Sequence, residues 1–186
     1  MDPQLLIVLA ILAIIIIGFL GFTRMQAERS KKLRERFGPE YERTATEVGD
    51  ERRAESVLEE REKRVKAFEI RPLPAADRDR YAESWRSVQA QFVEDPAGAI
   101  TEADRLVSDV MHARGYPVGE FEERASDISV DHPTVVENYR TAHGIAQRHS
   151  RGEANTEDLR KAMVHYRTLF DDLLESGQAE RTEAQR

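Results

Sequence analysis

The chain contains no cysteine. Disulfides and cysteine-ligated metals are therefore excluded, and the composition suits a reducing compartment. Proline and glycine are sparse, 7 and 10 residues in 186, and most of them punctuate the chain between apolar-periodic stretches. No sustained alternation of apolar and polar residues argues for strands. Also missing are a glycine-rich phosphate loop, a Gly-x-Ser-x-Gly elbow and a His-x-x-x-His pair. Basic charge is lacking in the distal half, where residues 81–186 carry 12 basic and 20 acidic side chains. Such a surface repels phosphate, which argues against nucleic acid as a partner.

What is present begins with an apolar run. Leu5 to Phe22 reads LLIVLAILAIIIIGFLGF, 18 residues without a charge. As a helix it covers about 27 Å, close to the hydrocarbon thickness of about 30 Å. A core helix apolar on every face would need a much larger protein around it. A cleaved signal peptide would need a basic leader and a small-x-small cleavage site, whereas Met1-Asp2-Pro3-Gln4 is acidic and Thr23-Arg24-Met25 follows the run. The run therefore reads as an uncleaved transmembrane anchor, with Leu5, Leu9, Leu12, Ile16, Leu20 and Phe22 among its spanning residues.

Its flanks set a direction. Asp2 is the only side-chain charge before the run, while Arg24, Arg29, Lys31, Lys32, Arg34 and Arg36 follow it. The positive-inside rule then predicts a plasma (inner) membrane protein with its N-terminus out and the rest of the chain in the cytoplasm. The same six cations are candidates for contact with anionic lipid headgroups. Gly18 and Gly21 lack the small-xxx-small spacing of helix dimers.

The remainder reads as all-α: one N-terminal transmembrane helix, a charged stalk helix and a four- to five-helix bundle. The predicted divisions are an anchor with its basic segment (1–36), a charged helical stalk (37–70), the bundle (71–175) and a polar tail (176–186). Pro39 opens a short helix to Val48 that Gly49 closes, and Asp50 caps a charged helix to about Phe68. Arg71-Pro72-Leu73-Pro74 reads as an extended linker. Tyr81, Trp85, Val88 and Phe92 lie on one helical face, most simply a core face. Asp95 and Pro96 begin a helix whose Ile100, Ala103, Val107, Val110 and Met111 point inward, with Glu102, Asp104, Arg105 and Asp109 outward. Gly115 ends it. A shorter helix is predicted over 119–127, and Asp131-His132-Pro133 is predicted to open the next. Asn155 caps the last helix, where Leu159, Met163, Tyr166, Phe170 and Leu173 form a coiled-coil-like seam, a possible surface for self-association.

Candidate chemistry is thin. Asp109 and His112 have the carboxylate-x-x-His spacing of one half of a di-metal bundle site, but no second copy exists. His143 and His165 flank the apolar stripes of their helices. Adjacent acids such as Asp171-Asp172 diverge by about 100° on a helix and read as solvated. The Ser, Asp and His of residues 127–132 crowd locally without the convergence that a triad needs. No catalytic residue, cofactor or metal is predicted.

Five phrases, Arg36-Phe-Gly-Pro-Glu-Tyr41, Phe92-Val-Glu-Asp-Pro96, Arg114-Gly-Tyr-Pro117, Ser129-Val-Asp-His-Pro133 and Ala162-Met-Val-His-Tyr-Arg-Thr-Leu-Phe170, resemble those of an uncharacterised group of bacterial single-pass membrane proteins with a C-terminal helical domain. The resemblance implies the architecture and no site residue. The function expected from anchor, stalk and acidic bundle is a membrane-tethered, non-enzymatic module that recruits or positions a protein partner. The alternative is an enzyme or small-ligand-binding protein whose site gathers Asp109, His112, His143 and His165.

Overall fold

The computed structural model describes the backbone of residues 3–184 and the side chains of residues 12, 16–21 and 23–175. Those residues form eight helices and no strand. The chain divides into two compact units, Met1–Leu58 and Glu59–Arg186.

In the first unit α1 (Pro3–Phe37) ends at Gly38, whose φ of 49° suits a residue without Cβ. Pro39 then sits at the first turn of α2 (Pro39–Val48), where its missing N–H costs nothing. Gly49, at φ 73°, closes α2 by donating its N–H to Ala45 O at 2.9 Å. Asp50 Oδ1 accepts the Arg53 N–H at 2.9 Å and caps α3 (Glu51–Val65). Leu33, Phe37, Tyr41, Ala54 and Leu58 are buried. The Tyr41 hydroxyl donates to the buried Glu55 carboxylate at 3.0 Å.

Among the described residues no helix is long and apolar enough to cross a membrane. The expected span Leu5 to Phe22 falls mostly on side chains outside that set, Leu5, Leu9 and Phe22 included. Its described members stand open. Leu12, Ile16 and Leu20 are 53%, 50% and 55% exposed, and Ile17 and Phe19 are exposed beside them.

The second unit is built from α4 (Ala75–Gln91), α5 (Pro96–Arg114), α6 (Phe121–Asp131), α7 (Val136–Ser150) and α8 (Thr156–Ala184). Helix α8 packs along α7 and α5, α5 also meets α4 and α7, and α6 meets α7. One apolar core joins them. Trp85 stacks on Phe170 with centroids 4.7 Å apart, and the whole Leu159-to-Leu173 seam is buried in that core. The seam thus faces the chain's own helices.

The segment predicted as a linker is tied to this core. Leu73 is buried in it and Arg71 N donates to Arg114 O at 2.8 Å. Earlier still, Val65 is buried and Arg64 Nη2 pairs with the buried Asp127 at 2.9 Å. The division between the units consequently falls inside α3, before the predicted stalk ends.

Three boundaries differ from expectation. Helix α6 runs on to Asp131, and His132 closes it by donating its N–H to Ile128 O at 2.8 Å. Asp131 lies in the last turn of α6, where it accepts the Tyr116 hydroxyl at 2.8 Å, and α7 starts only at Val136. Helix α8 continues through the polar tail to Ala184, since no proline interrupts a stretch rich in good helix formers.

Candidate functional site

The basic segment after the apolar run lies on the same unbroken helix α1. Arg24, Arg29, Lys31, Lys32, Arg34 and Arg36 are all exposed, but they are not equivalent. The Arg34 guanidinium lies 4.7 Å over the Tyr41 ring and pairs with Glu51 at 3.0 Å and Glu42 at 3.5 Å. It braces the turn from α1 into α2 and α3. Lys31 makes only a loose, exposed pair with Glu35 at 3.7 Å.

The four Asp and His candidates do not converge. Asp109 accepts from Arg105 Nη1 at 2.6 Å on an exposed face, and His112 is exposed near the end of α5. His165 Nδ1 donates to Asn138 Oδ1 at 2.7 Å and lines a shallow depression with Arg160, Lys161 and Val164. His143 lines a different cleft. Among the described residues no group of three or more His, Asp or Glu is arranged to hold a metal.

Two polar clusters escaped sequence reasoning. The first surrounds Arg114, which is 1% exposed although it sits at the charged end of α5. Its Nη1 donates to Leu173 O at 3.1 Å and to His132 Nε2 at 3.4 Å. A guanidinium can only donate, so Nε2 is the acceptor and Nδ1 carries the hydrogen. That Nδ1–H donates to Asp172 Oδ2. An Asp–His pair of this kind orients a general base when Nε2 faces a substrate; here Nε2 faces a buried cation and has no lone pair to spare. The arrangement ties α5, α6 and α8 together. The adjacent acids Asp171 and Asp172 do diverge, as their spacing requires, yet Asp172 turns inward while Asp171 pairs outside with Arg167 at 3.2 Å.

The second cluster centres on Asp104, which the helical wheel places outside the core face. Its side chain is only 29% exposed, and Arg124 Nη2 reaches its Oδ2 at 3.5 Å. Arg124 itself is held by the Tyr139 hydroxyl at 3.0 Å and Gly119 O at 2.9 Å. The buried hydroxyls of Tyr139 and Tyr166 share this environment. Burial first, and the Asp104 charge second, push both phenols far above their ordinary range. Neither Asp104 Oδ1 nor the Tyr166 hydroxyl completes a hydrogen bond of ordinary geometry. Above them opens a cleft of about 230 Å³ between α5, α7 and α8, walled by Thr101, His143, Gln147 and Ser150. His143 stacks on Phe121 with centroids 3.6 Å apart and planes 6° apart, and burial holds its pKa below the usual imidazole value.

Comparison with known protein families, curated proteins and solved structures finds no match to this chain.

Proposed function

We propose that the protein is a membrane-tethered, non-enzymatic helical module that recruits or positions a protein partner at the cytoplasmic face of the plasma (inner) membrane. The observation that carries the tether is the run of exposed apolar side chains on α1, Leu12, Ile16, Ile17, Phe19 and Leu20. They continue without a helix break into the basic segment. Large apolar side chains left bare in water over several turns are a cost that lipid removes, at roughly 25 cal/mol per Å² covered.

The helix also sorts the six cations. For α1 along the bilayer normal, at about 1.5 Å per residue, Arg24 stands about 3 Å beyond Phe22, Arg29 about 10 Å and Arg36 about 21 Å. The headgroup layer is about 5–8 Å deep and surface potential decays over about 8 Å. Lipid attraction thus rests on Arg24 and Arg29, with Lys31 and Lys32 in the diffuse layer. Arg34, occupied by Glu42 and Glu51, acts on the protein.

The non-enzymatic reading draws support from the closed state of the His132–Asp172 pair and from the separation of Asp109, His112, His143 and His165. The second unit buries its apolar stripes, and its exposed large apolar residues, Val93, Val118 and Val164, lie on different elements. A partner would accordingly be held by polar and charged contacts. A reporter that works only outside the cytoplasm, fused after Arg186, tests the orientation. It is expected to be silent while a cytoplasmic reporter is active, and the reverse pattern would overturn the assignment.

A further inference from the structure

The chemistry of the α5–α7–α8 cleft is biased toward one kind of ligand. Thr101 Oγ1 donates to Ala97 O at 3.2 Å and Ser150 Oγ to Gln147 O at 2.8 Å. Gln147 Nε2 donates to His143 Nε2 at 3.0 Å. These bonds consume donors within the walls and leave the lone pairs of Thr101, Ser150 and Gln147 available. Beyond the second amide hydrogen of Gln147, the imidazole N–H and the Tyr166 hydroxyl at the floor beside Asp104, the groups left over are acceptors.

The cleft also carries a formal negative charge. Asp104 is partly neutralised by Arg124, yet that guanidinium is committed to Tyr139 and Gly119 and approaches only to 3.5 Å. Burial keeps His143 in its neutral form near pH 7, so no second cation balances the carboxylate. At about 230 Å³ the space lies below the roughly 300–1,000 Å³ of sites for whole small molecules or cofactors. It suits a single side chain or an amine of similar size.

We propose that this cleft binds a positively charged nitrogen group, a primary ammonium or a guanidinium, and serves as the anchor pocket for a lysine or arginine side chain of the protein partner. The proposal rests on the recruitment reading for the source of the group, whereas the pocket's preference for cationic donors stands on its own walls. A charged donor against a partly desolvated carboxylate is the stronger class of hydrogen bond, and an arginine filling a pocket is a common interface anchor.

The test uses the full chain in detergent micelles, titrated with n-butylammonium and n-butylguanidinium and followed by NMR at the His143 ring and neighbouring amides. Saturable binding is expected for one or both, with butyrate inert. Asp104→Asn should weaken it at least tenfold. Thr101→Val, on an exposed position and of equal size, should weaken it about threefold without the folding risk of a buried change. Absence of saturable binding by the wild-type chain, or equal affinity in both variants, would overturn the proposal. Crosslinking in intact cells then separates the sources. If Asp104→Asn removes a crosslinked protein species, the group belongs to a partner. Amine binding together with unchanged crosslinks would make the pocket a free-amine site and defeat the partner half of the proposal.

Discussion

Two tyrosines of one cluster are expected to respond differently to loss of a single oxygen. The Tyr139 hydroxyl accepts from Arg124 Nε at 3.0 Å, so Tyr139→Phe strips a buried guanidinium of a partner and should cost about 1–3 kcal/mol. The Tyr166 hydroxyl is buried beside the Asp104 carboxylate, too poorly aligned for a hydrogen bond of ordinary geometry. Tyr166→Phe should therefore be within about 0.5 kcal/mol of the wild type, or more stable than it. Urea unfolding of the two variants side by side checks the contrast. His143 gives a pH dependence. The fold favours its neutral form, chiefly through burial and with Arg124 assisting, against the opposing pull of Asp104 and Glu122. The unfolded chain binds a proton near the ordinary value of 6.5, so this contribution is full above that pH. It is lost as pH falls from 6.5 toward the lower folded value, and is constant below it. His143→Gln should flatten that part of the urea-midpoint profile between pH 7.5 and 5.5. None of this was legible from residue types. The helical wheel puts Asp104 on the polar side of α5, but whether a polar edge meets water or another helix depends on what packs beside it.

At the scale of elements, punctuation was readable because caps are local chemistry. Asp95 Oδ1 accepts the Gly98 N–H at 2.9 Å, and Asn155 and Asp158 exchange side-chain-to-backbone bonds at 3.1 and 3.2 Å. Asp95→Ala should cost about 1 kcal/mol by thermal or urea unfolding. Gly115 should be less forgiving. At φ 103° it ends α5 with Tyr116 N bonded to Met111 O at 3.1 Å, a Schellman closure. A Cβ there would also collide with the Glu69 backbone carbonyl. Gly115→Ala is thus expected to cost more than about 2 kcal/mol, from strain and displacement together. Where punctuation misled, a side chain had a distant engagement. Asp131-His132-Pro133 has the pattern of a helix start, yet His132 is drawn to Arg114 and Asp172, and the chain stays helical up to it. Arg71-Pro72-Leu73-Pro74 is extended as its prolines demand, but burial of Leu73 makes it part of the core edge.

At the scale of the whole molecule, the proposed anchor yields the sharpest test. A carboxylate at the middle of a span costs about 2.5–3.5 kcal/mol on insertion scales. The double change Leu12→Asp and Ile16→Asp should move the protein from the carbonate-resistant membrane fraction into the extractable one. Wild-type protein that washes off with carbonate would count against a transmembrane α1. The acidic excess of residues 81–186 acts at this scale too, since it favours cationic partners over polyanions by long-range attraction.

Sequence alone determined what depends on neighbours along the chain. The apolar run, the basic flank, the helical class and most caps follow from composition and from periods of three to four residues, which fix a face before any tertiary contact forms. Tertiary structure decided what depends on residues far apart in the chain. It drew Arg114, His132 and Asp172 into one contact, and set Asp104 beside Arg124 and two tyrosines across 62 residues of sequence. It also closed the α8 seam against the chain's own core. A polar side chain's partner is chosen by the packing of helices, and packing is a property of all the faces at once.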